Sequence, residues 1–172
     1  MIDIPTILGQ MEGNAEAMHA LVGTLSEEQA RWKPGSESWS MKDVMEHVYN
    51  EERIDFRIHL REILNDPPQA WGAFFPPEGY LPVETCAQAL EGFLRERKAS
   101  LEWLKALPAP DWDAACEASF GPSDEKVRLS AGDVLVSWVA HDYLHLRQMI
   151  EVLFAWNEKQ ASPYAVPYAG RW

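Results

Sequence analysis

The sequence predicts an all-α four-helix bundle, on three observations. Four long segments carry apolar residues in alternating steps of four and three, the spacing that lines one face of a helix. No segment clearly alternates apolar and polar residues as a half-buried strand would. The second and fourth segments open with a helix-capping pattern, and proline-rich stretches separate the segments. The 172 residues suit a single domain, 1–172, and 47% hydrophobic residues are enough to bury its core.

The first helix is expected over about 4–25. Ile4, Leu8, Met11, Ala15, Met18, Val22 and Leu25 form its apolar face, Asp3 serves as N-cap, and Pro5 falls in the first turn, where proline is tolerated. Ser26-Glu27-Glu28-Gln29 has capping-box spacing for a short further turn of helix, which Lys33-Pro34-Gly35-Ser36 breaks. The second helix, about 40–65, opens on a capping box from Ser40 to Asp43. Met41, Met45, Val48, Phe56, Leu60 and Ile63 make one stripe, and Val44, His47, Glu51, Ile54 and Ile58 the adjacent one. Asn65-Asp66-Pro67-Pro68 stops it. The following loop, to about Pro82, carries Trp71, Phe74, Phe75 and Tyr80, so it is expected to pack over a bundle end or to wall a pocket.

The third helix is expected over about 83–107, with Val83, Ala87, Leu90, Leu94, Arg97, Leu101 and Leu104 in one stripe. Arg97 interrupts that stripe. An edge position, with the stem on the apolar face and the guanidinium in water, is favoured over one pointing inward at an acidic partner. Pro108 and Pro110 end the helix. Residues 111–129 are irregular and accommodate either a short hairpin or another helical turn. The fourth helix, about 130–157, repeats the capping spacing from Ser130 to Asp133, and the tail to Trp172 reads as coil.

Lys plus Arg is 15 and Asp plus Glu is 27, a net charge of −12. That balance argues against nucleic acid and against anionic lipid as partners, since both need clustered cations. No apolar run is long enough to span a membrane, and acidic Asp3 sits where a signal peptide would carry a cation, so a cytoplasmic location is expected. Cys86 and Cys116 are isolated and read as small buried thiols in a reducing compartment.

The chemistry concentrates on the fourth helix. Val134, Trp138, His141, His145, Gln148 and Val152 step by 4,3,4,3,4, which puts His141, His145 and Gln148 on the inward seam. Residues four apart are helix neighbours, so both imidazoles reach one ion. His47 holds the same kind of seam position on the second helix. Three buried imidazoles repel if protonated and leave ring nitrogens without partners if neutral. A divalent cation resolves both problems, and three His ligands leave a coordination position open, the catalytic pattern. His19 and His59 fall off the seam and read as surface or edge residues. His141-Asp142-Tyr143-Leu144-His145 also resembles the H-E-x-x-H string of zinc proteases. Asp is one methylene short for that role, and the third His lies upstream, so Asp142 is expected to face away from the ion, as a carboxylate behind the ligands or on the surface. Glu51, one turn after His47, is suited to orienting a ligand, accepting a proton, or pairing with Arg97 or another cation. Gln148 is placed either to contact substrate or to fill a buried polar gap.

Trp39 before Ser40, then His47, Gly132-Asp133 at the last helix start, and His141-Asp-Tyr-Leu-His145-Leu-Arg-Gln148 together resemble the DinB-like superfamily over most of the chain, from about Ile4 to Trp156. The resemblance implies a metal-binding four-helix bundle of that topology, with one His from the second helix and two from the fourth. It further implies a non-haem divalent ion, often nickel or zinc, and a homodimer. Related groups include thiol S-transferases that use low-molecular-weight thiols such as bacillithiol, and a mycothiol-dependent maleylpyruvate isomerase. The leading expectation is a metal-dependent thiol S-transferase acting on a small molecule. The alternatives are a metal-dependent hydrolase, with Glu51 as base, and a non-enzymatic metal- or small-molecule-binding stress protein.

Overall fold

The structure, a computed structural model, describes residues 3–69, 71, 79–119 and 126–170. Helix α1 (Ile4–Val22) is followed by the short α2 (Glu27–Arg31). The second long segment is two helices, α3 (Met41–Ile54) and α4 (Phe56–Ile63). Helix α5 (Cys86–Ala106) is followed by strands β1 (Ala115–Ser119) and β2 (Lys126–Ser130), then by α6 (Ala131–Gln160). A 3-10 turn spans Pro167–Ala169 in the tail. Four helical segments in this order form the expected bundle: α1 packs on α5 and α6, α3 on α5 and α6, and α4 on α6. None of the described helices is long and apolar enough to cross a membrane.

Local chemistry sets the helix starts. Ser40 and Ser130 each accept a hydrogen bond from the backbone N–H three residues on, and Asp43 and Asp133 in turn each accept one from the cap residue's backbone N–H. Thr85 and Gln88 make the same reciprocal pair, so α5 begins at Cys86 rather than at Val83. The Val83 N–H is instead taken by Glu46 Oε2 at 2.9 Å. Asp3 precedes α1 without capping its backbone; it accepts from the Thr6 hydroxyl at 2.5 Å. Residues 111–129 resolve as the hairpin option, with Ala115 opposite Ser130 and Ser119 opposite Lys126. The ladder runs on into the last helix: Ala131 N–H donates to Ala114 O at 2.8 Å and Gly132 N–H to Trp112 O at 2.9 Å. The hairpin thus satisfies amides that a helix N-terminus leaves without partners.

The second segment departs from the continuous helix expected over 40–65. Asp55 has φ −113° and ψ −94°, outside the helical region, and divides α3 from α4. Its carboxyl is bonded to Glu51 and lies 3.2 Å from His59 Nε2. Short acidic side chains with local partners of this kind compete with helix continuation.

Two apolar clusters make the core. One gathers Met18, Met41, Met45, Phe93 and Met149; the other gathers Met11, Leu60, Ile63, Leu135 and Trp138. Helices α3 and α5 approach closely at Gly92, where a Cβ would stand 2.7 Å from the Tyr49 ring. Cys86 and Cys116 are free and buried, as expected.

Arg97 does not sit at the edge of α5. It is 2% exposed and points into the bundle. Its Nη1 donates to Asp142 Oδ2 at 2.7 Å and to Met11 O at 3.1 Å. Its Nη2 donates to Glu52 Oε2 and Asp142 Oδ1, both at 2.8 Å. Trp138 Nε1 also donates to Glu52 Oε2, at 2.8 Å, and Asn14 Nδ2 to Asp142 Oδ2, at 3.2 Å. Burial alone would pull the guanidinium's pKa down, but the two carboxylates hold it above its ordinary value. Asp142 faces away from the histidine seam, as expected, yet it is a fully enclosed partner of Arg97 rather than a surface group.

Candidate metal centre

Helices α3 and α6 bring His47, His141 and His145 together. His141 and His145 are one turn apart on α6, and Nε2 of His141 lies 3.1 Å from Nε2 of His145 and 3.2 Å from Nε2 of His47. Nitrogens about 2.0–2.1 Å from one ion lie about 2.9 Å apart at right angles and about 3.4 Å apart at the tetrahedral angle. The observed separations fall between those limits. Among the described residues these three form the one group of His, Cys, Asp or Glu side chains close enough together to hold an ion.

The rings are tuned for that role. Burial, with His145 close by, pushes His47 down to about 4. Burial and the neighbouring His145, His47 and Arg97 charges push His141 down to about 3. Burial lowers His145 as well, partly opposed by its bond to Gln148. Near pH 7 all three are therefore neutral and offer lone pairs. His145 Nδ1 lies 2.9 Å from Gln148 Oε1, so the amide oxygen holds the proton on Nδ1 and turns the Nε2 lone pair toward the centre. Gln148 Oε1 is thus engaged in orienting the His145 ring. Trp39, 41% exposed, lies edge-on to His47 at 5.2 Å and parallel to His145 at 6.4 Å, covering one side of the cluster.

This tuning carries a pH dependence in the metal-free protein. The unfolded chain takes up His protons near pH 6.5, whereas the folded centre takes them up near 4 at His47 and near 3 at His141. Below about pH 6.5 the unfolded state binds more protons, so stability falls with pH through that window. Thermal melts of wild type and His47→Asn at about pH 7.5, 6 and 5 check this. The variant should decline less steeply; identical slopes would contradict the assignment.

Glu51 lies beside the cluster, with Oε1 3.7 Å from His47 Nδ1. It does not pair with Arg97, which takes Glu52, the next residue along α3. The partner of Glu51 is Asp55, which sequence reasoning missed. Burial first, and then the bond to the Glu51 carboxylate, push Asp55 up to about 9, so the pair holds a proton near pH 7. The i,i+4 spacing of two acids in a helix seam was the available signal.

His59 is not a plain surface residue. It lies between Asp55 and Glu62, with Nδ1 2.9 Å from Glu62 Oε2, and stacks on Trp71 at 4.1 Å. His19 is exposed, as expected. Glu51, Asp55 and His141 line a cavity of about 460 Å³ together with Phe56 and Trp71. Trp71 is fixed there by its backbone N–H, which donates to Glu117 O of β1 at 3.1 Å. It is thus the pocket wall expected of the aromatic loop. Phe74 and Phe75 lie outside the described residues. Tyr80 is exposed and donates to Glu46 Oε1 at 3.2 Å.

Comparison with known proteins agrees with this architecture. No curated protein matches the chain. Among solved structures, YfiT from Bacillus subtilis, described as a probable metal-dependent hydrolase with an unusual four-helix bundle topology, is similar to it. The identity is 12%, 91% of each chain is covered, and the TM-score is 0.70, a likeness of fold. The family model of the DinB superfamily matches residues 10–149. By that match, which spans most of its length and takes in all three clustered histidines, the chain belongs to the DinB superfamily.

Proposed function

We propose that the protein is a metal-dependent hydrolase of small molecules, with His47, His141 and His145 as ligands of a divalent ion. The observation that carries this reading is three neutral imidazoles converging beside a carboxyl pair that already shares a proton. Zinc and nickel both suit an all-imidazole donor set. The ion would polarise a carbonyl and acidify water. Glu51 accepts a proton from the attacking water as its oxygen bonds to the acyl carbon. Asp55 hands its proton to the leaving oxygen as the acyl–oxygen bond breaks, and the proton on Glu51 then restores the pair. Water is the only co-reactant, and acid and alcohol are the products. The description of YfiT as a probable metal-dependent hydrolase supports the same reaction class.

The sequence resemblance to thiol S-transferases motivates the second reading, in which a low-molecular-weight thiol replaces water as the nucleophile. One assay separates the two. Metal-loaded protein is given p-nitrophenyl esters with and without added thiol. Turnover without thiol supports hydrolysis; an absolute thiol requirement overturns it in favour of transfer. Glu51→Gln should lower kcat by about 10²–10⁴, the usual worth of a positioned proton acceptor. An unchanged kcat removes Glu51 from the chemistry.

A further inference from the structure

The cavity beside the histidines has a chemical character of its own. Phe56, Trp71, Leu129, Val134 and Leu144 give it an apolar wall, and its volume of about 460 Å³ is that of a site for a small organic ligand. No Lys or Arg is among the described residues that line it, whereas Glu51 and Asp55 both are. The remaining titratable group besides His141 is His59, which is already engaged by Asp55 and Glu62. Away from an ion at the histidines, a carboxylate, phosphate or sulfonate bound along this wall would lose water without gaining a cationic side chain, and would face two acidic side chains instead.

The aromatic walls are held in place by neighbouring rings. The Phe56 ring stacks on Trp138 at 5.6 Å, and the Trp71 ring stacks on His59 at 4.1 Å. Trp138 is itself fully buried and tied to Glu52. Rings fixed in this way give up little conformational freedom when a ligand lies against them.

From these features we infer that the cavity binds the substrate through an uncharged aryl or medium-chain acyl group, with the scissile bond toward His141 and the Glu51–Asp55 pair. The inference rests on the reading of the histidine cluster as the reaction centre. It narrows the substrate class to neutral, apolar esters and amides.

A matched pair of fluorescent probes tests it on the metal-free, full-length protein. N-phenyl-1-naphthylamine and 1-anilinonaphthalene-8-sulfonate share one ring skeleton and differ by a sulfonate. The neutral probe should bind saturably at one site and at least about tenfold tighter than the sulfonate. Ala140 lines the cavity from α6, and Ala140→Trp should fill it and weaken the neutral probe by about tenfold or more. Should that variant fail to fold, Leu144→Asp decides: Leu144 is 64% exposed, and the added charge at the wall should also weaken the neutral probe. Equal or tighter binding of the sulfonate, or unchanged binding in the folded variants, overturns the inference. Probe binding needs neither metal nor turnover. Ester hydrolysis without probe selectivity would therefore sink the pocket assignment alone. Probe selectivity with no hydrolysis under any metal would sink the hydrolase reading alone.

Discussion

Alanine at His47, His141 or His145 is expected to strip the protein of its divalent metal. Removing an outer hydrogen-bond partner of a ligand typically weakens metal binding by about 10–100-fold, and removing a ligand itself should exceed that. Each variant, purified without added metal, should retain less than about a tenth of the wild-type content by elemental analysis. Gln148→Leu, which removes the acceptor on His145 Nδ1, should fall in the milder range. Metal binding to the native state raises its stability by mass action, so added metal should raise the wild-type Tm and leave the three alanine variants unmoved. Because the rings are only partly buried, the variants should remain folded, which separates lost metal from lost structure. Metal content unchanged in all three would sink the assignment of the centre.

Arg97→Met is expected to be the most damaging single change in the core. It would leave Glu52 and Asp142, each 1% exposed, without their cation. Breaking a buried ion pair from one side costs about 3–5 kcal/mol, much of a typical domain's stability. For a chain of this size that is a drop in Tm of roughly 6–20 °C. Neutralising the partners as well, in Arg97→Met with Glu52→Gln and Asp142→Asn, should recover part of the loss, because the stranded charges are then gone. Denaturant or thermal melts of the single and triple variants measure both effects. A single variant within about 1 kcal/mol of wild type would mean that water reaches these carboxylates. The network also bears on the metal centre. Glu52 lies five residues past His47 on α3 and Asp142 directly follows His141 on α6, so one guanidinium ties together the helices that carry the histidines. Arg97→Met should therefore weaken metal binding as well as lower stability.

The residues that the sequence identified correctly are those governed by short-range geometry. The boxes at Ser40 and Ser130 act over three residues, and the pairing of His141 with His145 acts over one turn. Seam position placed His47 on the facing helix, because a polar residue in an apolar stripe needs a partner in the core. The histidine seam itself pointed to a divalent ion; the family resemblance added the topology, with which the matched family and fold agree.

Other features depend on contacts between distant segments. Arg97 turns inward because Glu52 and Asp142, each 45 residues away in sequence, wait for it in the core. A periodic stripe says that Arg97 is near the face but cannot reveal which acids face it. Glu51 and Glu52 are consecutive, yet one helical step of about 100° sends one to the histidine cluster and the other to the buried guanidinium. The break at Asp55 is hidden in one stripe, where Val44, His47, Glu51, Ile54 and Ile58 step by 3,4,3,4 through it, and its only trace in the other is the eight-residue gap from Val48 to Phe56; the interruption is stabilised by His59 and Glu51. The cavity wall joins Phe56 of α4, Trp71 of the loop and Leu129 of β2 with α6, a juxtaposition only the folded chain creates. By itself, then, the sequence determined the four helical segments, the capping boxes at Ser40 and Ser130 and the histidine seam, since spacing along a helix settles those. Tertiary structure decided which acids meet which cations and what walls the site, because each choice depends on side chains that meet only after the helices pack.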